Sequence, residues 1–598
     1  MSEKVQPPQE PEAVHADSPA GSPEAKPALS RRKLLAAGAG AAAAAALSLF
    51  GVRRASAQHD HMPEEPPAMA PADVDFAAHG EGFDHPLTMV SRAGEMVQNL
   101  IVRPAEVMIR QLDGTMRVEQ TRTYNGTVPG PTFRVLPGDK LSFTLFNRLP
   151  ANPDQAMCHQ LMEENQPGCF NSTNLHTHGL HVSPSSKQVN GKTLASDNVL
   201  IVVDPGKDQE YCIWLPAFHA PGTHWYHSHR HGSTAIQVVN GMSGAIIVEE
   251  PPDQRIPVDS EQIWILQEII GNQDDKASRI YTCITGGDDA LVRFTVNGVD
   301  TPKLTLLPNE IQRWRFINAT ASPRGFTNLY LRQQGTTTMV PIYLIAIDGI
   351  TFYGWDPQPV PGPGRTGGLS FAPGNRADFL VKLPAGTYEV VKGKSDLGHS
   401  SDQVLAVVEV SGTPMPDRPL PKLPGTDVRP CYLTPVPDGA PTNTRTITFG
   451  TSGTGCGGRN GQPILQNFTI NGVKFGDPAA VQNVDFGATE KWLLENSSGA
   501  GHPFHIHVNP FQIVGDLIDW TKPDSPENRV WWDTIPIPKD TTGAAALQML
   551  TRFLDYSGAF VFHCHILIHE DMGMMQEVVV GPGGVGPCEQ LLSPVTPC

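Results

Sequence analysis

Residues Tyr124–Asn147 read Y-N-G-T-V-P-G-P-T-F-R-V-L-P-G-D-K-L-S-F-T-L-F-N. Asn-Gly supplies two residues that tolerate positive φ and so marks a tight turn. Pro137-Gly138 marks another, and from Lys140 to Phe146 polar and apolar residues alternate with the period of a half-buried strand. The same order recurs from Val296 as V-N-G-V-D-T-P-K-L-T-L-L-P-N-E-I-Q-R-W-R-F-I-N, where Glu310–Phe316 alternates in the same way. A looser copy starts at Ile470 with I-N-G-V-K-F-G-D-P and runs through K-W-L-L-E-N. The Asn-Gly pairs at Asn125, Asn297 and Asn471 lie 172 and 174 residues apart, so the chain holds three similar units of about 170 residues. With 57 Gly and 56 Pro, connections are many and short, and each unit reads as a β-sandwich rather than a helical domain. Pro-rich seams at Pro251-Pro252 and from Thr413 to Pro441 mark the boundaries.

A second pattern carries chemistry. Near the C-terminus the chain reads V-F-H-C-H-I-L-I-H-E-D-M-G-M-M, placing Cys564 between His563 and His565, with His569 and Met574 following. Three more His-x-His pairs stand at His176/His178, His227/His229 and His505/His507, with His502 just ahead of the last. On a strand, an i, i+2 pair projects both rings from one side, with Cα atoms roughly 6.6 Å apart, so each ring can serve a different metal. Four pairs supply eight imidazoles and leave His502, Cys564, His569 and Met574 as a separate set. Two imidazoles, a thiolate and a weak thioether suit a copper electron-transfer site. Zinc favours closed tetrahedral sites in small modules, which this donor set does not match. Ten of the 21 histidines are claimed in this way. The others, including His181, His219, His224 and His231, read as supporting or surface groups.

On these motifs the sequence resembles the three-domain multicopper oxidases of the laccase type, matching all four copper motifs in order. The resemblance implies an all-β fold of three cupredoxin-like Greek-key sandwiches, at 95–250, 251–420 and 421–598, the middle one structural and without copper ligands. It implies that His176 and His505 bind a type 2 copper, and that His178, His227, His229, His507, His563 and His565 bind a type 3 pair. His502, Cys564, His569 and Met574 would hold a type 1 copper. The implied reaction takes single electrons from a small-molecule reductant and reduces O2 to water. Water formation consumes protons, which neutral imidazoles cannot supply, so carboxylates are needed nearby. Glu570 stands where the family carries such an acid, and Asp197 lies where it often places another.

The reductant is less legible. Cuprous oxidases of the family carry a Met-rich segment and an acid before the first type 1 histidine. Here no Met occurs between Met415 and Met549, and Asn496–Gly501 precede His502. That favours phenols and aromatic amines. A cuprous or ferrous oxidase is the alternative, and a copper-free structural relative, from a different class, is disfavoured by the complete ligand sets.

The N-terminus addresses location. Ser30-Arg31-Arg32-Lys33 precedes a weakly apolar run from Ala36 to Phe50, then Ala55-Ser56-Ala57, a small-x-small cleavage form. This resembles a twin-arginine export signal over 1–57, followed by a leader over 58–94. About 15 residues of mostly Ala and Gly are too few to span a bilayer. A periplasmic or secreted monomer is expected. The net charge is −17, and since residues 1–57 carry seven Lys/Arg against five Asp/Glu, the mature chain stands near −19, which disfavours nucleic acid and anionic membranes. With Cys564 assigned to copper, eight of the nine cysteines remain for disulfides in an oxidising compartment.

If the twin-arginine reading holds, Arg31→Lys with Arg32→Lys leaves uncleaved precursor in the cytoplasm, scored by fractionation and immunoblot. Unimpaired export of the double variant would assign the chain to another pathway.

Overall fold

The computed structural model describes residues 83–110, 116–270, 278–282, 293–362, 367–397, 402–453, 466–515 and 522–582. The expected export signal, most of the leader, and Cys283, Cys456, Cys588 and Cys598 lie outside them. Among the described residues, no helix is long and apolar enough to cross a membrane.

Six sheets divide two by two among the three repeats. In the first, a sheet containing Glu95–Arg110, Lys140–Asn147 and Asp208–Trp214 faces one containing Thr132–Val135, Ser243–Val248, Gly222–His227 and His176–His178. Leu141, Phe143 and Leu145 alternate inward from Lys140–Asn147, and Phe143 meets Phe133 of the opposite sheet at 4.9 Å. The second repeat pairs a sheet built on Ser260–Ile269, Gln312–Ala319 and Arg376–Val381 with one built on Lys303–Leu306, Gln403–Val410 and Gly386–Gly393. The third pairs Asn443–Gly453, Thr489–Asn496 and Leu547–Arg552 with Val481–Val484, Met575–Val580, Gly558–Cys564 and His502–Ile506. Among the described residues, no sheet crosses residue 250 or 420. The architecture is all-β, three cupredoxin-like sandwiches.

The repeat is literal at the level of pairing. Glu95–Arg110 runs parallel to Lys140–Asn147, Ser260–Ile269 to Gln312–Ala319, and Asn443–Gly453 to Thr489–Asn496. Each Asn-Gly pair forms the same turn, with φ near +50° at Asn125, Asn297 and Asn471 and near +80° at the glycine that follows. Each Asn side chain then accepts from a strand amide of its own sheet, Ile101 at 2.7 Å, Ile265 at 2.8 Å and Thr448 at 2.7 Å. A short side chain that tolerates positive φ and bonds the neighbouring strand explains why Asn recurs there.

Two expectations need correction. The strand Gln312–Ala319 is buried on both faces, not one. Its apolar residues enter the core of the second repeat or meet Trp225, Ala245 and Ile247 of the first. Arg313 and Arg315 lie at the same seam and pair with Asp378 at 2.7 and 3.1 Å, while Glu261 receives Arg315 and Arg134. Alternation was legible; the neighbouring domain that covers the polar face was not. The leader also joins the folded body before residue 95, because Thr88–Val90 pairs with Thr132–Val135 and the Phe83 ring lies 4.4 Å from Trp264.

Cys158 and Cys169 form a disulfide, Cys212 and Cys431 are also disulfide-bonded, and Cys564 is free and buried.

Asn297 is buried, whereas Asn471 is exposed. Asn297→Ala loses the turn preference and leaves the buried Ile265 amide unpaired, a cost of about 1–3 kcal/mol. Asn471→Ala leaves groups that water can reach, and is expected to cost less. Thermal unfolding of the two variants checks the order, and equal losses would refute it.

Candidate metal centre

The four His-x-His pairs come together through strand register. His227 lies opposite His176, and Trp225 opposite His178, in the first repeat. In the third, His505 lies opposite His563, and Phe504 opposite Cys564. Only His176/His178 lie wholly within a strand; His229, His507 and His565 fall just past the ends of theirs. The expectation of four in-strand pairs is corrected accordingly. Rings within each pair nevertheless stand 5.1 to 5.8 Å apart. The sheet ends of the two repeats meet, bringing His176 onto His507 at 3.9 Å and His178 onto His505 at 3.8 Å. His229 Nε2 is 3.1 Å from His563 Nε2.

All eight rings are at most 2% exposed. Burial, reinforced by neighbouring imidazoles, depresses His176, His178, His227, His507, His563 and His565 well below the usual range and His229 to about 4. Neutral imidazoles offer a lone pair. His176 Nε2, His178 Nδ1, His227 Nε2, His505 Nε2 and both nitrogens of His507 and of His565 lack a hydrogen-bond partner. An unsatisfied buried nitrogen costs about 1–3 kcal/mol, and so many in one space point to metal ligation. His176/His178/His227, His176/His505/His507 and His229/His507/His563 each place three ligand atoms within 4.8 Å.

A second group lies beside it. His502 Nδ1 is 3.3 Å and His569 Nδ1 3.6 Å from Cys564 Sγ, and the two nitrogens are 3.2 Å apart. Met574 is fully buried, and its carbonyl accepts from the Cys564 amide at 3.1 Å. Burial pushes the Cys564 thiol up, so its thiolate needs a cation beside it. Cys564 is bonded through its backbone to His563 and His565, which belong to the histidine cluster.

Two family models, both described as multicopper oxidase, match residues 163–253 and 447–584. A laccase of Bacillus stratosphericus is 26% identical, over 76% of this chain and 89% of its own length. A laccase of Haloferax volcanii is 28% identical, over 76% and 77%. Among solved structures, a multicopper oxidase of Campylobacter jejuni described as a metallo-oxidase superposes with a TM-score of 0.58 at 21% identity, covering 84% of this chain and 96% of that one. The two matched domains and these relatives support the multicopper oxidase family for this chain. It is therefore an oxidoreductase, and the family implies copper. The orphaned imidazole nitrogens and the single thiolate fit that metal.

Multicopper oxidases need their imidazoles oriented, and in this chain carboxylates and carbonyls do so from the far nitrogen. His176 Nδ1 lies 3.0 Å from Asp197, which also accepts from the Thr177 amide and hydroxyl. His227 Nδ1 meets the Ser228 carbonyl at 2.7 Å, and His505 Nδ1 the Asp533 carbonyl at 2.9 Å. Glu570 stands 3.1 Å from His563 Nδ1 and 3.4 Å from His229 Nδ1. Both acids read from the sequence are thus brought to the cluster. Burial raises Asp197 to about 7 and raises Glu570 as well.

Sequence reasoning missed Asp533, Thr534 and Asp571, together with Asp348 and Arg376 from the middle repeat. None carries a metal-motif signal. Asp571 accepts from the Gly232, Thr234 and Ala235 amides and from Tyr281 Oη. Burial opposes ionisation of Asp533, but Arg376 outweighs it and holds the carboxyl below its usual range. His181, His219, His224 and His231 are buried, so a surface role is excluded.

Cys564→Ser is expected to fold, shown by an unchanged circular dichroism spectrum, and to load copper without the intense blue absorption of the parent. Retention of that band would remove Cys564 from the ligand set.

Proposed function

We propose that this protein is a laccase-like oxidase that takes single electrons from phenols and aromatic amines and reduces O2 to water. In this reading His502, Cys564, His569 and Met574 hold one type 1 copper, His176 and His505 the type 2, and the other six paired histidines the type 3 pair. Bound copper supplies the electron transfer and oxygen chemistry. The observation that carries the reading is the position of Cys564, whose backbone joins the thiolate group to His563 and His565 of the cluster.

Of the ten candidate histidine ligands, His569 is the most exposed, at 9%, and Phe468 stacks on it at 4.1 Å. His502 is fully buried and its outer nitrogen bonds Ser498 Oγ at 2.8 Å. A donor therefore meets the His569 edge first. Its surroundings are apolar, with Phe468 on the ring, and Leu397 against Gly501 near the other histidine. That suits an aromatic donor better than a metal ion, as does the absence of Met between Met415 and Met549. Glu570 and Asp197, kept partly protonated by burial, are positioned to pass protons toward the cluster. Export to the periplasm or medium completes the reading, supported by the N-terminal pattern of Arg31-Arg32 and Ala55-Ser56-Ala57.

Oxygen uptake by the copper-loaded protein with a phenol, an aromatic amine, Cu(I) and Fe(II) tests the substrate class, and a clear preference for either metal ion would reverse it. Glu570→Gln keeps shape but cannot carry a proton. Type 1 reduction should stay near normal while reoxidation by O2 slows tenfold or more, about 1.4 kcal/mol in barrier. Burial raises Glu570 to about 7, so the deficit against the parent should be largest below that pH and shrink as the parent's own carboxyl ionises above it. Parental reoxidation would make Glu570 a structural neighbour.

A further inference from the structure

The middle repeat carries none of the candidate ligands, yet it reaches the ligand layer. Arg376 is fully buried and its five N–H groups find five acceptors in three domains. Nε donates to the Thr223 carbonyl of the first at 3.2 Å. One terminal nitrogen donates to the Gly374 carbonyl at 3.1 Å and to Asp533 Oδ1 at 2.7 Å, and the other to the Asp348 carbonyl at 3.0 Å and to Asp533 Oδ2. Asp348 completes the grip, since its Oδ2 accepts from the amides of Asp533 at 3.1 Å and Thr534 at 3.0 Å. Asn375 donates to the Thr534 carbonyl at 2.7 Å. Thus the Asp533-Thr534 segment of the third repeat has both amides, one carbonyl and its carboxylate held from the second.

What this segment leaves free points at the cluster. The Asp533 carbonyl receives His505 Nδ1 at 2.9 Å, and Thr534 Oγ1 stands 3.1 Å from the same nitrogen. His505 Nε2, at the other end of the ring, is one of the orphaned nitrogens. Asp533 Oδ1 also lies 3.4 Å from His178 Nε2, with His178 Nδ1 left unpartnered. Space is tight around the clamp: a Cβ on Gly179, which follows His178, would come within 2.0 Å of Arg376.

We infer that Arg376, with Asp348 and Asn375, is a positioning device by which the middle domain sets the tautomer and aim of His505, and through it the affinity and geometry of the type 2 copper. The inference rests on the proposed assignment of His505 to that copper. It makes the middle domain part of the metal site's support rather than a spacer. Arg is required because its planar fork satisfies several fixed acceptors, which a lysine point charge cannot.

The test uses copper-loaded full-length protein, comparing the parent with Arg376→Lys, Asn375→Ala, Arg315→Lys and His505→Ala by type 2 electron paramagnetic resonance and copper retention against a chelator. The blue band serves as an internal control. Removing the support of a metal-bound histidine lowers affinity about 10- to 100-fold. Arg376→Lys should therefore keep the blue band, shift the type 2 hyperfine splitting, and need 10- to 100-fold more free copper to fill that site. Asn375→Ala removes the bond to the Thr534 carbonyl and those to the Asp348 carboxylate but leaves the Arg376–Asp533 pair in place, and should move the same readouts less; it decides the matter if Arg376→Lys does not fold. Arg315→Lys disturbs the same buried seam at Glu261, Asp378 and the Thr223 hydroxyl without touching Asp533 or Thr534, and should lower the unfolding temperature without moving the type 2 signal. Parental type 2 affinity and spectrum in the clamp variants, or an equal change in Arg315→Lys, overturns the inference. Persistence of the type 2 signal in His505→Ala instead refutes the ligand assignment beneath it.

Discussion

Eight buried imidazoles share one dry space, and each has two nitrogens to account for. A ring is aimed at a metal when its far nitrogen is held, and for His176, His227, His505 and His563 the holders come from several directions. Asp197 and the Ser228 carbonyl act within the first repeat, and the Asp533 carbonyl and Glu570 within the third. Much of the buried polar structure follows from that demand. The acids cannot be fully solvated, so burial raises Asp197 and Glu570 toward neutrality, where they can both orient a ring and hold a proton. In the proposed reading, the same residues would serve both geometry and proton supply.

The threefold repeat explains how such a site arises without a new fold. Each sandwich has the same parallel pairings and the same Asn-Gly turn. The first and third repeats place histidines where their sheet ends meet. The middle repeat offers Asp348, Asn375 and Arg376 instead, which bond the Asp533-Thr534 segment beside His505. Domain contact is thus part of the site, since the ligand atoms of His229, His507 and His563 converge only when two repeats dock.

Much was legible in the sequence because it depends on local chemistry. Alternation at Lys140–Phe146, the turn at Asn125 and the spacing around Cys564 are set by backbone periodicity and by which side chains bind soft metals. The candidate ligands could be picked out for the same reason: His-x-His and His-Cys-His patterns are short. Glu570 was found because it adjoins His569, and Asp197 only through family resemblance.

The rest needed three dimensions. Asp533 lies 355 residues from His178 in sequence, and Arg376 is 157 residues from Asp533, so no local pattern connects them. Gln312–Ala319 shows its alternation plainly, but its polar face is dry because another domain covers it. By itself the sequence determined the sandwiches, their number and the residues competent to bind copper, since these follow from short-range periodicity and donor chemistry. Only the tertiary structure decided which ring nitrogens are free, which carboxylates and carbonyls hold others and which domain supports them, because those depend on long-range contacts that close when the three repeats dock and exclude water.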